Sequence, residues 1–285
     1  LAAGCTGTGN CYWKSAASAN WETTADWFTA TNGGGTSGGL PGTGDIVHFD
    51  ANSGAVTVTM TASQTVAVIL FVGTSITLNT GGQPLTLGST STAASTVVFD
   101  QQSGSSNLSS STVTVYGSWD CTTYPTCGAT TYSASTLNFL SSNNQNVWLA
   151  NVAYNVTFDS SNTSTSITYT AVHNIQRVSN LLTIRDTAGT TPTVKFDLSI
   201  GPYVLNDALG AGSITVGSRG ILYAPTSTIT VNGNFDSSAG DFGPSAFGTS
   251  TVVFSGNGTL KTVASSGNAT LYNLTVNVSI TVNTL

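Results

Sequence analysis

Val156-Thr157-Phe158-Asp159 joins a β-branched residue, a polar residue, a phenylalanine and an aspartate, and the chain keeps returning to that pattern. Val47-His48-Phe49-Asp50, Val97-Val98-Phe99-Asp100 and Val194-Lys195-Phe196-Asp197 repeat it closely, while Leu137-Asn138-Phe139, Asn234-Phe235-Asp236 and Val252-Val253-Phe254-Ser255 repeat it loosely. From Phe99 onward, Phe139, Phe158, Phe196, Phe235 and Phe254 stand 40, 19, 38, 39 and 19 residues apart. These are near multiples of one spacing. A unit of about 19 to 20 residues is too short to fold alone and suits one coil of a β-solenoid, where three short strands and their turns go once round. Trp119 and Leu274 fall where the series lacks a phenylalanine. The phenylalanines are expected to stack along one interior face, with the Asp after each turned outward to bond backbone at a corner.

The surrounding sequence agrees. Val56-Thr57-Val58-Thr59-Met60, Thr112-Val113-Thr114-Val115-Tyr116 and Ile229-Thr230-Val231 alternate apolar and polar residues with a period of two, the signature of half-buried strands. Gly, Asn, Ser and Pro clusters break these runs every few residues, and no stretch of similar length reads as an amphipathic helix. The fold class is all-β.

The stretch Gly217-Ser218-Arg219-Gly220-Ile221-Leu222-Tyr223-Ala224-Pro225-Thr226-Ser227-Thr228-Ile229-Thr230-Val231-Asn232-Gly233-Asn234-Phe235 resembles the right-handed parallel β-helix repeats of secreted bacterial, archaeal and viral surface proteins. Thr251-Val252-Val253-Phe254-Ser255-Gly256-Asn257-Gly258, leading to Leu271-Tyr272-Asn273-Leu274-Thr275-Val276, carries the same resemblance. It covers about half of the chain and implies a fold and a location, not a particular activity. The expected architecture is a right-handed parallel β-helix, divided into a Trp-rich cap over 1–50, a solenoid body over 51–272 and an assembly strand over 273–285. A donor-strand-complemented β-sandwich is the alternative, since its Ser/Thr-rich strands would look much the same.

Tyr12-Trp13, Asn20-Trp21 and Asp26-Trp27, followed by Leu40-Pro41-Gly42-Thr43-Gly44-Asp45, are similar to the cap that precedes such helices. An open solenoid end exposes core and unpaired strand edges, and three tryptophans suffice to cover it. The other reading of these rings is a platform for sugar.

Only 6% of the 285 residues are charged, far below the quarter or so usual in soluble domains. Hydroxyls and backbone must therefore supply most of the surface polarity, which suits glycans or close packing against neighbours. Apolar residues still reach 39%, enough to bury a core and to exclude a disordered stalk. A net charge of −6 without a basic cluster excludes nucleic acid as a partner. No window of about 18 apolar residues offers a membrane span. The chain starts at Leu1-Ala2-Ala3-Gly4 rather than Met, as expected of a mature secreted protein freed of its targeting signal.

Cys5 with Cys11 and Cys121 with Cys127 have identical spacing, and an even count in a chain of this character favours two local disulfides. Zinc sites use shorter Cys spacing, and His48 and His173 are the only histidines. Asn107, Asn155, Asn162, Asn257, Asn268, Asn273 and Asn277 each begin an N-x-Ser/Thr sequon, so covalent glycans are expected at some of them.

Solenoids host polysaccharide lyases and hydrolases, so catalysis needs a direct test. Glycoside hydrolysis requires two facing carboxylates, and the chain has eleven Asp and a single Glu, Glu22. Most of the aspartates follow a repeated Phe or sit beside Gly, where a turn role is the default. Gly-x-Ser-x-Gly is absent, and Gly33-Gly34-Gly35 is followed by neither helix nor Lys. No catalytic, cofactor-binding or metal-ligating residue is assigned, and no cofactor is expected.

Two functions outside enzymology follow: a self-assembling structural subunit of an extracellular filament or surface layer, or a glycan-binding adhesin or virus-type fibre. A binder should carry aromatics and Asn or Asp on one face of successive coils. An assembler needs open strand edges. Leu274, Val276, Val278, Ile280 and Val282 alternate with polar residues, and no Pro or charge blunts the segment. The expected partner is therefore a second copy of the chain, joined head to tail by strand addition or coil stacking.

Overall fold

The computed structural model describes residues 5, 9–123, 127–149, 153–173, 175–176, 178–189, 193–199, 204–205, 212–224, 228–240, 251–255, 259–262, 273–277 and 281–284. The chain divides into two compact units, 1–136 and 137–285, so the boundary falls inside the body expected over 51–272. Both units are parallel β-solenoids with strands on three faces.

In the first unit, face one carries Ser118–Asp120, Val97–Gln101, Val68–Phe71, Ile46–Phe49 and Asn10–Trp13 in parallel register. Face two carries Thr112–Val115, Leu85–Leu87 and Gln64–Val66; face three carries Ala129–Thr131, Ser105–Asn107, Thr77–Asn79, Thr57–Thr59 and Ala19–Asn20. In the second unit, face one runs Gly220–Tyr223, Val194–Asp197, Ile167–Ala171 and Gln145–Val147. Face two runs from Ala153–Ser160 through Val178–Ile184, Ser213–Val216, Phe235–Asp236 and Thr259–Thr262 to Thr281–Thr284. Face three ends with Thr228–Val231, Thr251–Phe254 and Asn273–Val276. Parallel pairing between successive coils excludes the β-sandwich alternative, which needs antiparallel sheets packed face to face.

The period-two runs fold as short strands because alternate residues face the interior. Val58, Leu78, Leu85, Leu87, Val113 and Val115 are fully buried, while the threonines between them lie at the surface. Each buried aliphatic or aromatic side chain contributes about 1.5–3 kcal/mol.

The coil is longer and less regular than the phenylalanine spacing predicts. Phe49 pairs with Phe71, Ile69 with Phe99 and Phe99 with Trp119, steps of 22, 30 and 20 residues. Tyr169 pairs with Phe196, Phe196 with Leu222 and Ile184 with Val216, steps of 27, 26 and 32. Corners of unequal length absorb the difference, as loops do when the strands they join are fixed.

The rings do stack, though not along one face. In the first unit Phe49, Phe71, Phe99 and Trp119 follow one another on face one, with Trp119 lying flat on Phe99 at 3.9 Å. In the second unit Phe158 belongs to face two and Phe196 to face one, yet their rings stack at 4.4 Å. Phe235 and Phe254 come from faces two and three and meet edge to face. The interior is narrow enough for rings from different walls to touch, so the 38-residue step between Phe158 and Phe196 counts a change of wall, not two coils. Val276, not Leu274, lies in register with Phe254.

The Trp-rich N-terminal segment is interleaved with the first coils. Asn10–Trp13 pairs in parallel with Ile46–Phe49 and antiparallel with Trp27–Ala30, which pairs in turn with Gly34–Ser37. Trp13, Trp21 and Trp27 are at most 1% exposed, and their rings continue the stack onto Phe49. Trp27 Nε1 donates to the Trp21 carbonyl at 2.6 Å. Buried this deeply, the three rings offer no platform for sugar.

Candidate functional site

The aspartates that follow the repeated phenylalanines are corner fasteners. Asp50 accepts from the backbone of Asn52 at 2.8 Å, and Asp236 from that of Ser238 at 3.0 Å. Asp100 reaches the following coil, accepting from Thr122 N at 3.1 Å and Thr122 Oγ1 at 2.7 Å. Asp159 does the same with Thr187 N and Oγ1, both at 2.9 Å, and with Arg185 Nε at 3.1 Å. The expected bonding to corner backbone holds, but Asp100, Asp159 and Asp197 are only 4%, 5% and 8% exposed. They lie under the next coil instead of pointing outward. Buried carboxylates of this kind need several donors: Asp100 and Asp159 take theirs from their own corner and from the coil that follows, and Asp197 from Lys195 and Ser199.

Both disulfides form in the expected pairing, Cys5 with Cys11 and Cys121 with Cys127, with Cα–Cα separations of 5.5 and 5.9 Å. Glu22 anchors the cap to the first coil: its carboxylate accepts from Thr61 N and Oγ1, Ala62 N and Gln64 Nε2. Burial pushes that carboxyl up, but the donors outweigh it and hold Glu22 below its ordinary value. His48 stacks on Tyr12 at 4.3 Å, with Nε2 at 2.8 Å from Asn10 Oδ1. Burial holds its imidazole below the ordinary histidine value, against the opposing pull of Asp50. Among the described residues no group of three or more His, Cys, Asp or Glu is placed to hold a metal ion, and no helix is long and apolar enough to cross a membrane.

Sequence reasoning missed the polar pillars of the interior. Tyr169 stands among the phenylalanine rings with its hydroxyl accepting from Ser141 N at 2.8 Å and donating to the Asp159 carbonyl at 2.7 Å. Burial pushes its phenol well above the usual range. Gln101 accepts from Ser106 Oγ and Thr130 Oγ1 at 2.9 and 2.6 Å. Nothing in the local pattern separates these residues from surface polar ones.

The sequons are not equivalent. Asn273 and Asn277 are exposed. Asn107 Oδ1 accepts from Ser109 N and Oγ, and Asn155 Oδ1 accepts from Asn180 Nδ2 at 2.7 Å. Asn162 spends its amide nitrogen on the Ser142 carbonyl at 3.0 Å, while its oxygen accepts from Ser164 and Thr165. Asn257 and Asn268 lie outside the described residues.

The candidate assembly segment splits. Among the described residues, Asn273–Val276 is the outermost strand of face three, and Thr281–Thr284, which includes Val282, is the outermost strand of face two. Leu274 and Val276 occupy positions whose register partners, Val252 and Phe254, are 1% and 0% exposed, yet they are themselves 45% and 43% exposed. Val278 and Ile280 lie outside the described residues.

Fold and corners together define a disulfide-bearing parallel β-solenoid with a Trp-rich N-terminal segment. No family model, curated protein or solved structure matches this chain.

Proposed function

We propose that the protein is a non-catalytic structural subunit of an extracellular filament or surface layer, assembled through the edge formed by Asn273–Val276 and Thr281–Thr284. One observation carries this: core positions of the ladder, Leu274 and Val276, are nearly half exposed on a strand that, among the described residues, has no further strand beside it in its sheet. Such an edge is a template for another strand. A second copy that covers it joins two different surfaces, and a contact of that kind propagates unless it closes into a ring. The two disulfides accord with an extracellular setting. The non-catalytic reading is supported by Asp50, Asp100, Asp159, Asp197 and Asp236, whose oxygens fasten corners.

Deleting residues 273–285 tests the proposal. Electron microscopy and sedimentation of the intact chain should show filaments or sheets, and the truncated chain should stay monomeric. Filaments from the truncated chain, or an intact chain that stays monomeric at every concentration, would overturn it.

A further inference from the structure

Face one of the second unit carries rows of residues that cross successive coils in register. Asn146 pairs with Thr170, Thr170 with Asp197 and Asp197 with Tyr223; beside them Thr168 pairs with Lys195 and Lys195 with Ile221. Val147, Tyr169, Phe196 and Leu222, which alternate with these positions, are fully buried, and strand alternation turns Asn146, Thr168, Thr170, Lys195, Ile221 and Tyr223 toward solvent, while Asp197, buried at the corner, lies beneath Lys195. Lys195 Nζ donates to Asp197 Oδ2 at 2.8 Å and sits 4.9 Å from the centre of the Tyr223 ring. Trp148, immediately after Val147, meets His173 edge to face with ring centroids 5.3 Å apart. Trp13, Trp21, Trp27 and Trp119 are buried, whereas Trp148 is partly exposed.

We propose that this face binds a neutral polysaccharide laid along the direction in which the coils stack. Three features of the face select that ligand. Trp148 and Tyr223 give rigid aromatic surface, against which the C–H faces of pyranose rings pack at small cost in side-chain entropy. Asn146, Thr168 and Thr170 add amide and hydroxyl groups, which exchange hydrogen bonds with sugar hydroxyls as donor or acceptor. The cation and the carboxylate of the face neutralise each other, so it lacks the unpaired positive charge that a uronate polymer or a nucleic acid requires. Successive coils are spaced by about 4.8 Å, close to the length of one sugar unit in an extended chain, so a polymer laid along the stack meets the polar and aromatic groups of several coils in turn.

Affinity electrophoresis of the full chain in gels containing hydroxyethyl cellulose, yeast mannan, dextran or sodium alginate tests this. At least one of the three neutral polymers should retard the protein. Trp148→Ala should abolish the retardation, and Thr170→Val, which keeps the side-chain volume and removes one hydroxyl, should weaken it about fivefold. Should Trp148→Ala fail to fold, as judged by circular dichroism, Thr170→Val decides alone. No retardation by any neutral polymer, retardation by alginate alone, or Thr170→Val binding like the parent would each overturn the proposal.

Discussion

Asp159 shows how a single residue holds two coils together. It is buried and accepts from Ser160 N, Thr187 N, Thr187 Oγ1 and Arg185 Nε. Asp159→Ala leaves the Thr187 donors without an acceptor, and chemical denaturation should show a loss of about 2–3 kcal/mol. Arg185, 49% exposed on its side chain, will rehydrate and adds little of that loss. His48 gives the cap a pH response. Because its folded value lies below the ordinary one, the unfolded chain binds the proton first as pH falls below about 6.5. The His48 share of stability is therefore complete above that pH and is lost as pH falls from it toward the lower folded value. Glu22 has the same sign in a more acidic window, its share vanishing as pH falls below about 4.3. Asp26 opposes them, since burial raises its carboxyl and protonation in acid relieves the cost. Thermal melts between pH 7 and pH 5.5 should show a fall in Tm that is smaller in His48→Gln than in the parent.

At the scale of the element, the corners set the limits. Gly220 opens the strand Gly220–Tyr223, and a Cβ there would sit 2.1 Å from the carbonyl oxygen of Ile184. That oxygen is backbone of the neighbouring coil and has no rotamer by which to move away. Gly220→Ala should cost about 1–3 kcal/mol, and hydrogen exchange should show the loss concentrated in Val194–Asp197 and Gly220–Tyr223. Gly128 is similarly confined by the Ser103 carbonyl at 2.3 Å, and it directly follows the Cys121–Cys127 bridge. Replacing both of those cysteines by serine should lower stability by about 2–3 kcal/mol, read from the denaturant midpoint. The hairpin-like antiparallel pairing of Trp27–Ala30 with Asn10–Trp13 and Gly34–Ser37 covers an edge that would otherwise pair with a neighbour.

At the scale of the whole molecule, the proposed glycosylation and the proposed assembly fall on the same strand. Asn273 pairs with Thr251 and alternates with Leu274, so a glycan on Asn273 projects sideways from the ladder and leaves the stacking direction clear. Native material should have an intact mass above the 29.0 kDa of the polypeptide. Peptide mapping should find Asn273 or Asn277 occupied more fully than Asn162, whose amide nitrogen is committed to Ser142. Removing the sugar enzymatically should leave assembly intact and lower solubility.

Alternation and turn chemistry are local properties, so the sequence by itself determined that the chain is all-β, that the runs around Val58, Val113 and Phe158 are strands, and that the cysteines pair locally. Each of those outcomes depends on neighbours a few residues away. Coil length and the wall from which each phenylalanine comes depend on how much chain every corner absorbs, and Gly, Ser and Thr corners accept insertions without leaving a periodic trace. Whether a polar residue such as Tyr169, Gln101 or Asp159 ends inside depends on donors up to 29 residues distant in sequence. The row Asn146, Thr170, Asp197 and Tyr223 exists only because parallel register brings positions 24, 27 and 26 residues apart side by side. Only the tertiary structure decided these, because hydrogen-bond register across coils is a relation between distant segments and no single segment encodes it.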